Sequence, residues 1–226
     1  MKKDLSKFFN GKKVLITGHT GFKGSWLVKI LSGWGAHIVG LSLPPHTNPN
    51  LFDALRLKKE IKNYFADRKN FKKVKEIFTK EKPEIIFHLA AQALVRQRYA
   101  DPLHTIFSNT VGTSNVLEAV RQTDTIRSAV IITTDKVYKN NEKKRHFKES
   151  DSLGGHDPYS ASKAAADIIA SSYLKSFDLP VAIARAGNVI GGGDWSKDRL
   201  VPDIVRAFFE GKELVIRYPL AVRPWQ

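Results

Sequence analysis

The chain has 226 residues, 42% of them apolar, which is enough core for one large domain or for one domain and part of a second. It contains no cysteine, so disulfides and thiolate–metal sites are excluded, and no metal site is expected. Lysine and arginine leave a net charge of +15, but the lysines of "LRLKKEIKNYFADRKNFKKVKEIFTKEK" are interleaved with acids, as on wet helix faces, so a nucleic-acid groove is not expected and a general preference for anions is.

"KVLIT" (13–17) reads as a short buried strand, followed by a glycine-rich turn and a helical stretch, "KGSWLVKILSGWG". "HIVGLSL" (37–43) and "NYFAD" (63–67) read as the second and third strands. "NFKKVKEIFTKE" is amphipathic, with Phe71, Val74, Ile77 and Phe78 on one face. "EIIFHLA" (84–90) is a fourth strand. Asp101 and Pro102 form an N-cap followed by a first-turn proline, opening a helix that runs to about residue 122. "SAVIITT" is a fifth strand. Asp157 and Pro158 repeat the cap-and-proline signal before "YSASKAAADIIASSYLKSF", and "PVAIARA" (180–186) is a sixth strand. Strands alternating with helices imply an α/β fold, a Rossmann-type doubly wound parallel sheet with right-handed crossovers. Beyond Gly187 the glycine-rich "GNVIGGGDWSKDRL", the helical "VPDIVRAFFEG" and the extended "ELVIR" read as the start of a smaller C-terminal lobe. The expected division is therefore a dinucleotide-binding domain over 1–187 and the beginning of a substrate lobe over 188–226.

"TGHTGFKG" joins the first strand to the first long helix and holds Gly18, Gly21 and Gly24 three residues apart. Glycine lets the backbone approach a pyrophosphate, and the helix N-terminus presents unpaired N–H groups to it. Thr20, Phe22 and Lys23 lie in the same turn and join the cofactor set. The second strand ends in Ser42, with no acid nearby. Ser42 can hydrogen-bond a ribose without repelling a 2′-phosphate, which leaves NAD and NADP both open. Asp67, ending the third strand beside Arg68, is read either as a partner of the adenine amino group or as a helix N-cap. Leu89, Ala90 and Ala91 end the fourth strand with small residues that suit close approach of a cofactor.

"YSASK" places Tyr159 and Lys163 four residues apart, on one helix face. A phenol with its ordinary pKa of ~10 is a poor base at neutral pH, and a nearby ammonium favours the phenolate. Tyr159 is then suited to take a proton from a hydroxyl, with Lys163 holding the nicotinamide ribose and Thr134 donating to the same hydroxyl. "TTDKVY" puts Asp135 and Lys136 directly after Thr134, at the end of the fifth strand. A turn with a solvated ion pair is the plain reading of that stretch. Beside the glycine turn and the Tyr–Lys pair it reads as catalytic.

These residues resemble the extended short-chain dehydrogenase/reductase family of NAD-dependent epimerases and dehydratases. Within it the stretches "GHTGFKGSW", "TDKVY", "GGHDPYSASK", "GNVIGGGDWSKDRLVPDIVR" and "RPWQ" are most similar to the CDP-glucose branch of the sugar-nucleotide 4,6-dehydratases. The resemblance implies bound NAD, a CDP-glucose substrate and the product CDP-4-keto-6-deoxyglucose. It implies Tyr159 acting at the 4-hydroxyl, Asp135 as the acid for the departing hydroxyl, and Lys136 either as the base at carbon 5 or as a charge that stabilises the enolate. It also implies that Gln92, Asn188, Arg199, Arg217 and Arg223 meet the sugar and its diphosphate. Trp195 and Trp225 are open between ligand and core. The competing readings are a 4-epimerase of the same family, which would not need the 135–136 pair, and a non-catalytic dinucleotide-binding scaffold.

Members of this family run to roughly half as long again, so a substrate lobe that continues past Gln226 is expected. The stretch "MKKDLSKFFNGKK" lacks a signal-peptide core, and no apolar run reaches the ~18 residues of a membrane span, so a cytoplasmic protein without membrane partners is expected. Ile106, Val116, Ile168 and Ile169 exceed what one sheet face needs, and the resemblance implies a homodimer, or a dimer of dimers, built on those two helices.

Overall fold

The computed structural model describes residues 4–140, 145–216, 219–221 and 224–226. In chain order the elements are α1 (Leu5–Phe9), β1 (Lys13–Thr17), α2 (Phe22–Gly33), β2 (His37–Ser42), α3 (Leu51–Ala54), β3 (Lys62–Phe65), α4 (Phe71–Glu81), β4 (Ile85–His88), α5 (Val95–Ala100), α6 (Pro102–Ile106), α7 (Gly112–Arg121), β5 (Ser128–Thr134), α8 (Pro158–Phe177), β6 (Val181–Ala186) and α9 (Leu200–Glu210). The six strands form one sheet in the order β3-β2-β1-β4-β5-β6. Every neighbouring pair is parallel, with β1 central: Val14 stands opposite Ile38 on one side and Ile85 on the other. The order reverses between β1 and β4, which opens a crevice at the carboxyl ends of those strands.

The two-residue period of β1 divides the core. Val14 and Ile16 pack with Ile38, Ile85, Phe52 and Leu57 beneath Val28 and Leu31 of α2. Leu15 faces the other way, into Val39, Leu41, Ile86 and Ile131 beneath Val74, Ile77 and Phe78 of α4 and Val116 and Leu117 of α7. Each of these fully buried aliphatic side chains contributes roughly 1.5–3 kcal/mol, so the sheet and its helices are held largely by this two-sided packing. Val116 and Ile169, expected as surplus apolar positions, belong to this core, because their faces of α7 and α8 turn onto the sheet. Ile106 and Ile168 do remain outside, 40% and 57% exposed.

The helix starts follow the capping chemistry read from the sequence. Asp101 Oδ1 accepts from His104 N at 2.9 Å, and Asp157 Oδ1 accepts from Tyr159 N at 3.0 Å while its Oδ2 accepts from Ser160 Oγ at 2.6 Å. At α4 the cap is Asn70, which accepts from Lys73 N, and not Asp67, whose carboxylate instead accepts from Lys69 N at 2.9 Å. The helix expected over 101–122 is present, with a π-helical turn at Phe107–Val111 between α6 and α7. Residues 213–216 of "ELVIR" belong to no strand of the sheet, and Arg217 lies outside the described residues. No residue of α9 is buried, and Phe208 and Phe209 are each 81% exposed. No described helix is long and apolar enough to cross a membrane.

Candidate active site

A cleft of about 1710 Å³ opens where the strand order reverses. It gathers Gly18, Thr20, Gly21, Phe22, Lys23 and Gly24 from the first turn, Ser42 from the end of β2, and Arg68 from beyond β3. Leu89, Ala90, Ala91 and Gln92 line it from beyond β4, and Thr134, Asp135 and Lys136 from the end of β5. Tyr159 and Lys163 of α8 face it, as do Asn188 and Arg199 after β6. Asp67 is not among the lining residues. Its Oδ2 lies 3.3 Å from Lys69 Nζ. Arg217 and Arg223 lie outside the described residues.

The glycine turn is steric at both ends. Gly18 sits at φ +75°, and a Cβ there would lie 2.8 Å from Ala90 N, so only glycine lets β1 and the 89–91 segment close on each other. A Cβ on Gly24 would overlap the Gly18 carbonyl. Gly21 begins α2 without a side-chain cap, which leaves the first amides of a 12-residue helix for a ligand anion. Lys23 stands in that first turn. Burial, then Arg199 and Lys136, hold its amine below the usual lysine range against the opposing pull of Asp135. His19 is not a cleft group. It is fully buried over Gly40, bonded to Asn63 Oδ1 at 3.0 Å, and burial lowers its pKa to about 4.

The floor is a chain of buried hydrogen bonds whose directions can be assigned. Thr113 Oγ1 donates to Asn109 O at 2.6 Å, so the contact at 3.0 Å from His88 Nε2 to Thr113 Oγ1 must be donated by the ring. His88 Nδ1 then accepts from Thr17 Oγ1 at 2.7 Å, and Thr17 Oγ1 accepts from Ala90 N at 3.2 Å. Burial keeps this histidine neutral, with its pKa well below the ordinary value. Asn109, carried by the π-helical turn, clamps the next residues: Oδ1 accepts from Gln92 N at 2.7 Å, and Nδ2 donates to Gln92 O at 3.1 Å and to Ser162 Oγ at 3.0 Å. This links the end of β4 to α8 one residue from Lys163. Gln92 Oε1 is taken by Leu94 N at 2.8 Å, which leaves Gln92 Nε2 as a buried donor without a protein partner. Arg68 Nε is another, while Arg68 Nη2 donates to Ser108 O at 3.0 Å. The cleft is therefore rich in unused donors and suits an acceptor-rich anionic ligand.

Lys163 is 2% exposed, and its Nζ donates to Ile132 O at 2.7 Å. Burial, then Arg68 and Lys23, lower its pKa to about 7. Tyr159 is pushed upward by burial, against the pull of the Thr134 hydroxyl and of Arg199 and Arg98. Thr134 Oγ1 donates to Asp135 Oδ1 at 2.9 Å and accepts from Lys136 N at 3.4 Å. The tight turn Asp135–Val137 that follows β5 aims Asp135 and Lys136 into the cleft.

Two supports escaped the sequence reading. Arg98 of α5 lies 5.8 Å above the Tyr159 ring, with its Nε 3.3 Å from Asp157. No spacing rule marks it, because only the fold brings α5 to the start of α8. Behind the 134–137 turn, Arg185 Nη2 donates to Asp167 Oδ1 at 2.8 Å and Nη1 to the Tyr138 hydroxyl at 2.9 Å, and Thr133 Oγ1 donates to Asp167 Oδ2 at 2.9 Å. Both ends of the turn are thus fastened to one buried ion pair. On the C-terminal side, Asn188 Nδ2 donates to Pro224 O at 2.9 Å, and Trp195 and Trp225 are 37% and 41% exposed on the cleft wall.

Residues 14–225 match the model of the NAD dependent epimerase/dehydratase family. The chain is 45% identical over 97% of its length to a Salmonella typhimurium protein described as CDP-glucose 4,6-dehydratase, and it spans 64% of that protein. A solved dTDP-glucose 4,6-dehydratase from Bacillus anthracis in complex with NAD superimposes with a TM-score of 0.82 at 28% identity, over 95% of this chain and 67% of that one. An epimerase from Methanothermobacter thermautotrophicus, 24% identical, shares the fold with a TM-score of 0.85 over 98% of this chain and 66% of its own.

Proposed function

Because the chain belongs to the NAD dependent epimerase/dehydratase family, we propose that its cleft binds NAD and a nucleotide-linked hexose, and that it converts CDP-glucose to CDP-4-keto-6-deoxyglucose with loss of water. The observation that carries this is the convergence on one cleft of the glycine turn, the Tyr159–Lys163 pair and the Thr134–Asp135–Lys136 turn. The pair at 135 and 136 favours elimination over simple 4-epimerisation, which needs neither. Likeness to the Salmonella protein supports glucose on cytidine diphosphate as the substrate.

Bound NAD supplies a reversible hydride acceptor for the sugar. The amides at the start of α2, with Lys23, hold the pyrophosphate, Ser42 the adenosine ribose, and Lys163 the nicotinamide ribose. Tyr159 removes the proton of the 4-hydroxyl, with Lys163 and the guanidinium of Arg98 favouring its phenolate. Lys136 removes the carbon-5 proton, made acidic by the ketone, and Asp135 delivers a proton to the departing 6-hydroxyl. Gln92 Nε2 donates to a sugar oxygen, and Asn188, Arg199, Arg217 and Arg223 hold the sugar and its diphosphate. Residues 188–226 form the beginning of the substrate lobe. Exposed Leu103, Ile106 and Phe107 beside Ile168 are the homodimer face, and sedimentation of only monomer at micromolar concentration would count against it.

The test is incubation of the chain and NAD with CDP-, UDP- and dTDP-glucose, followed by mass spectrometry. Loss of water from CDP-glucose is expected. A product of unchanged mass with inverted carbon 4 overturns the dehydratase reading in favour of epimerisation.

A further inference from the structure

We propose that the Thr20 hydroxyl sets the choice between the two nicotinamide dinucleotides by fixing Ser42 as a hydrogen-bond acceptor, so that the site takes a ribose 2′-hydroxyl and refuses a 2′-phosphate. This rests on the dinucleotide reading given above. In a parallel sheet of this order, the residue ending the second strand, about 20 residues past the glycine turn, meets the adenosine ribose. An acid there selects a 2′-hydroxyl by accepting its proton. A serine is ambiguous, because a hydroxyl both donates and accepts.

The structure removes the ambiguity. Thr20 Oγ1 lies 2.9 Å from Leu43 O, a carbonyl that only accepts, so the single Thr20 proton is committed there. Thr20 Oγ1 also lies 2.9 Å from Ser42 Oγ, and toward Ser42 it has only lone pairs left. The Ser42 proton is therefore spent on Thr20, and Ser42 turns lone pairs to the cleft. A neutral serine, held this way, behaves toward a ribose as a carboxylate would. A 2′-hydroxyl has a proton to give it, whereas a 2′-phosphate brings more lone pairs and negative charge.

Two cations around this part of the molecule are already paired with carboxylates. Ala66 N donates to Ser42 O at 2.9 Å, which sets Asp67 and Lys69 just beyond, and Lys69 Nζ is 3.3 Å from Asp67 Oδ2. Arg199 Nη1 is 3.6 Å from Asp194 Oδ2. His46, also on the cleft wall, is held toward its neutral form by burial and by Arg199.

The test is calorimetric titration of the chain with NAD⁺ and with NADP⁺, without sugar. The wild-type chain should bind NAD⁺ at least about tenfold more tightly, the scale of one hydrogen bond gained against one unmatched. Thr20→Val removes the hydroxyl, releases the Ser42 proton and should shrink the preference to about threefold or less, while Thr20→Ser should restore it. If Thr20→Val does not fold, Ser42→Ala decides: it should weaken NAD⁺ and leave NADP⁺ unchanged. Equal wild-type binding of the two, a folded Thr20→Val chain that keeps the full preference, or a Ser42→Ala chain with an unchanged ratio overturns the proposal and leaves the dinucleotide reading standing. Binding of neither dinucleotide overturns both.

Discussion

Lys163→Met isolates the electrostatic cost of the candidate site. Lys163 is buried, its Nζ donates to the Ile132 carbonyl, and the nearby Arg68 and Lys23 repel its charge. Lowering an amine from 10.5 to about 7 means that the folded chain carries the charged form at a cost of roughly 5 kcal/mol relative to the unfolded chain. That cost is fully present below about pH 7. As pH rises from there toward 10.5 the folded protein has lost the proton and the unfolded chain still holds it, so the lysine's contribution becomes less unfavourable throughout that window. Methionine fills similar space without a charge but leaves the Ile132 carbonyl without its donor, at a cost of about 1–2 kcal/mol. The variant should therefore be about 3 kcal/mol more stable than wild type at pH 6.5 and about 1–2 kcal/mol less stable near pH 10. Urea unfolding of both chains across that range, followed by circular dichroism, reads the difference directly. A pH-independent difference would refute the reasoning, because it would mean that Lys163 is not desolvated among cations.

Tyr159→Phe should lower turnover of CDP-glucose by about 10²–10⁴ while leaving the unfolding midpoint close to wild type, checked by product assay and thermal melting. Gly24→Ala should cost more than about 2 kcal/mol and abolish NAD binding, because its Cβ overlaps the Gly18 carbonyl and the β1–α2 turn must open; calorimetry with NAD and urea titration follow both effects. Arg185→Met should destabilise the chain by about 3–5 kcal/mol by leaving the Asp167 carboxylate, 1% exposed, without its partner. Adding Asp167→Leu to that variant should recover much of the loss, and a double variant no better than the single one would contradict it. Lys136→Met should stop both elimination and solvent exchange at carbon 5, and exchange that persists by NMR would remove Lys136 as the base.

The sheet was legible because strand and helix periods are local. The apolar runs at 13–17, 37–42, 85–88 and 128–134 are strands, and the Asp-Pro signals at 101 and 157 both mark helix starts. The cleft's membership was legible where the chain itself carries the geometry: the glycine spacing, the four-residue step from Tyr159 to Lys163, and the turn after Thr134. Long-range choices were not. β3 stops at Phe65, two residues before the expected end; Asp67 beyond it accepts from Lys69 N, and Asn70 takes the cap, since both are short polar acceptors at a helix entrance. The π-helical turn that brings Asn109 onto Gln92 has no composition signal, because it is set by packing between α6, α7 and α8. Arg98 and Arg185 reach the site only through tertiary neighbours.

The most direct measurement follows a deuterium placed at carbon 4 of CDP-glucose through a single incubation with the chain and unlabelled NAD. The account predicts a dehydrated product that keeps the label, now at carbon 6, because the hydrogen taken beside Tyr159 is returned to the same sugar. Label lost to water or left at carbon 4, or no dehydration while the dinucleotide stays bound, would contradict it.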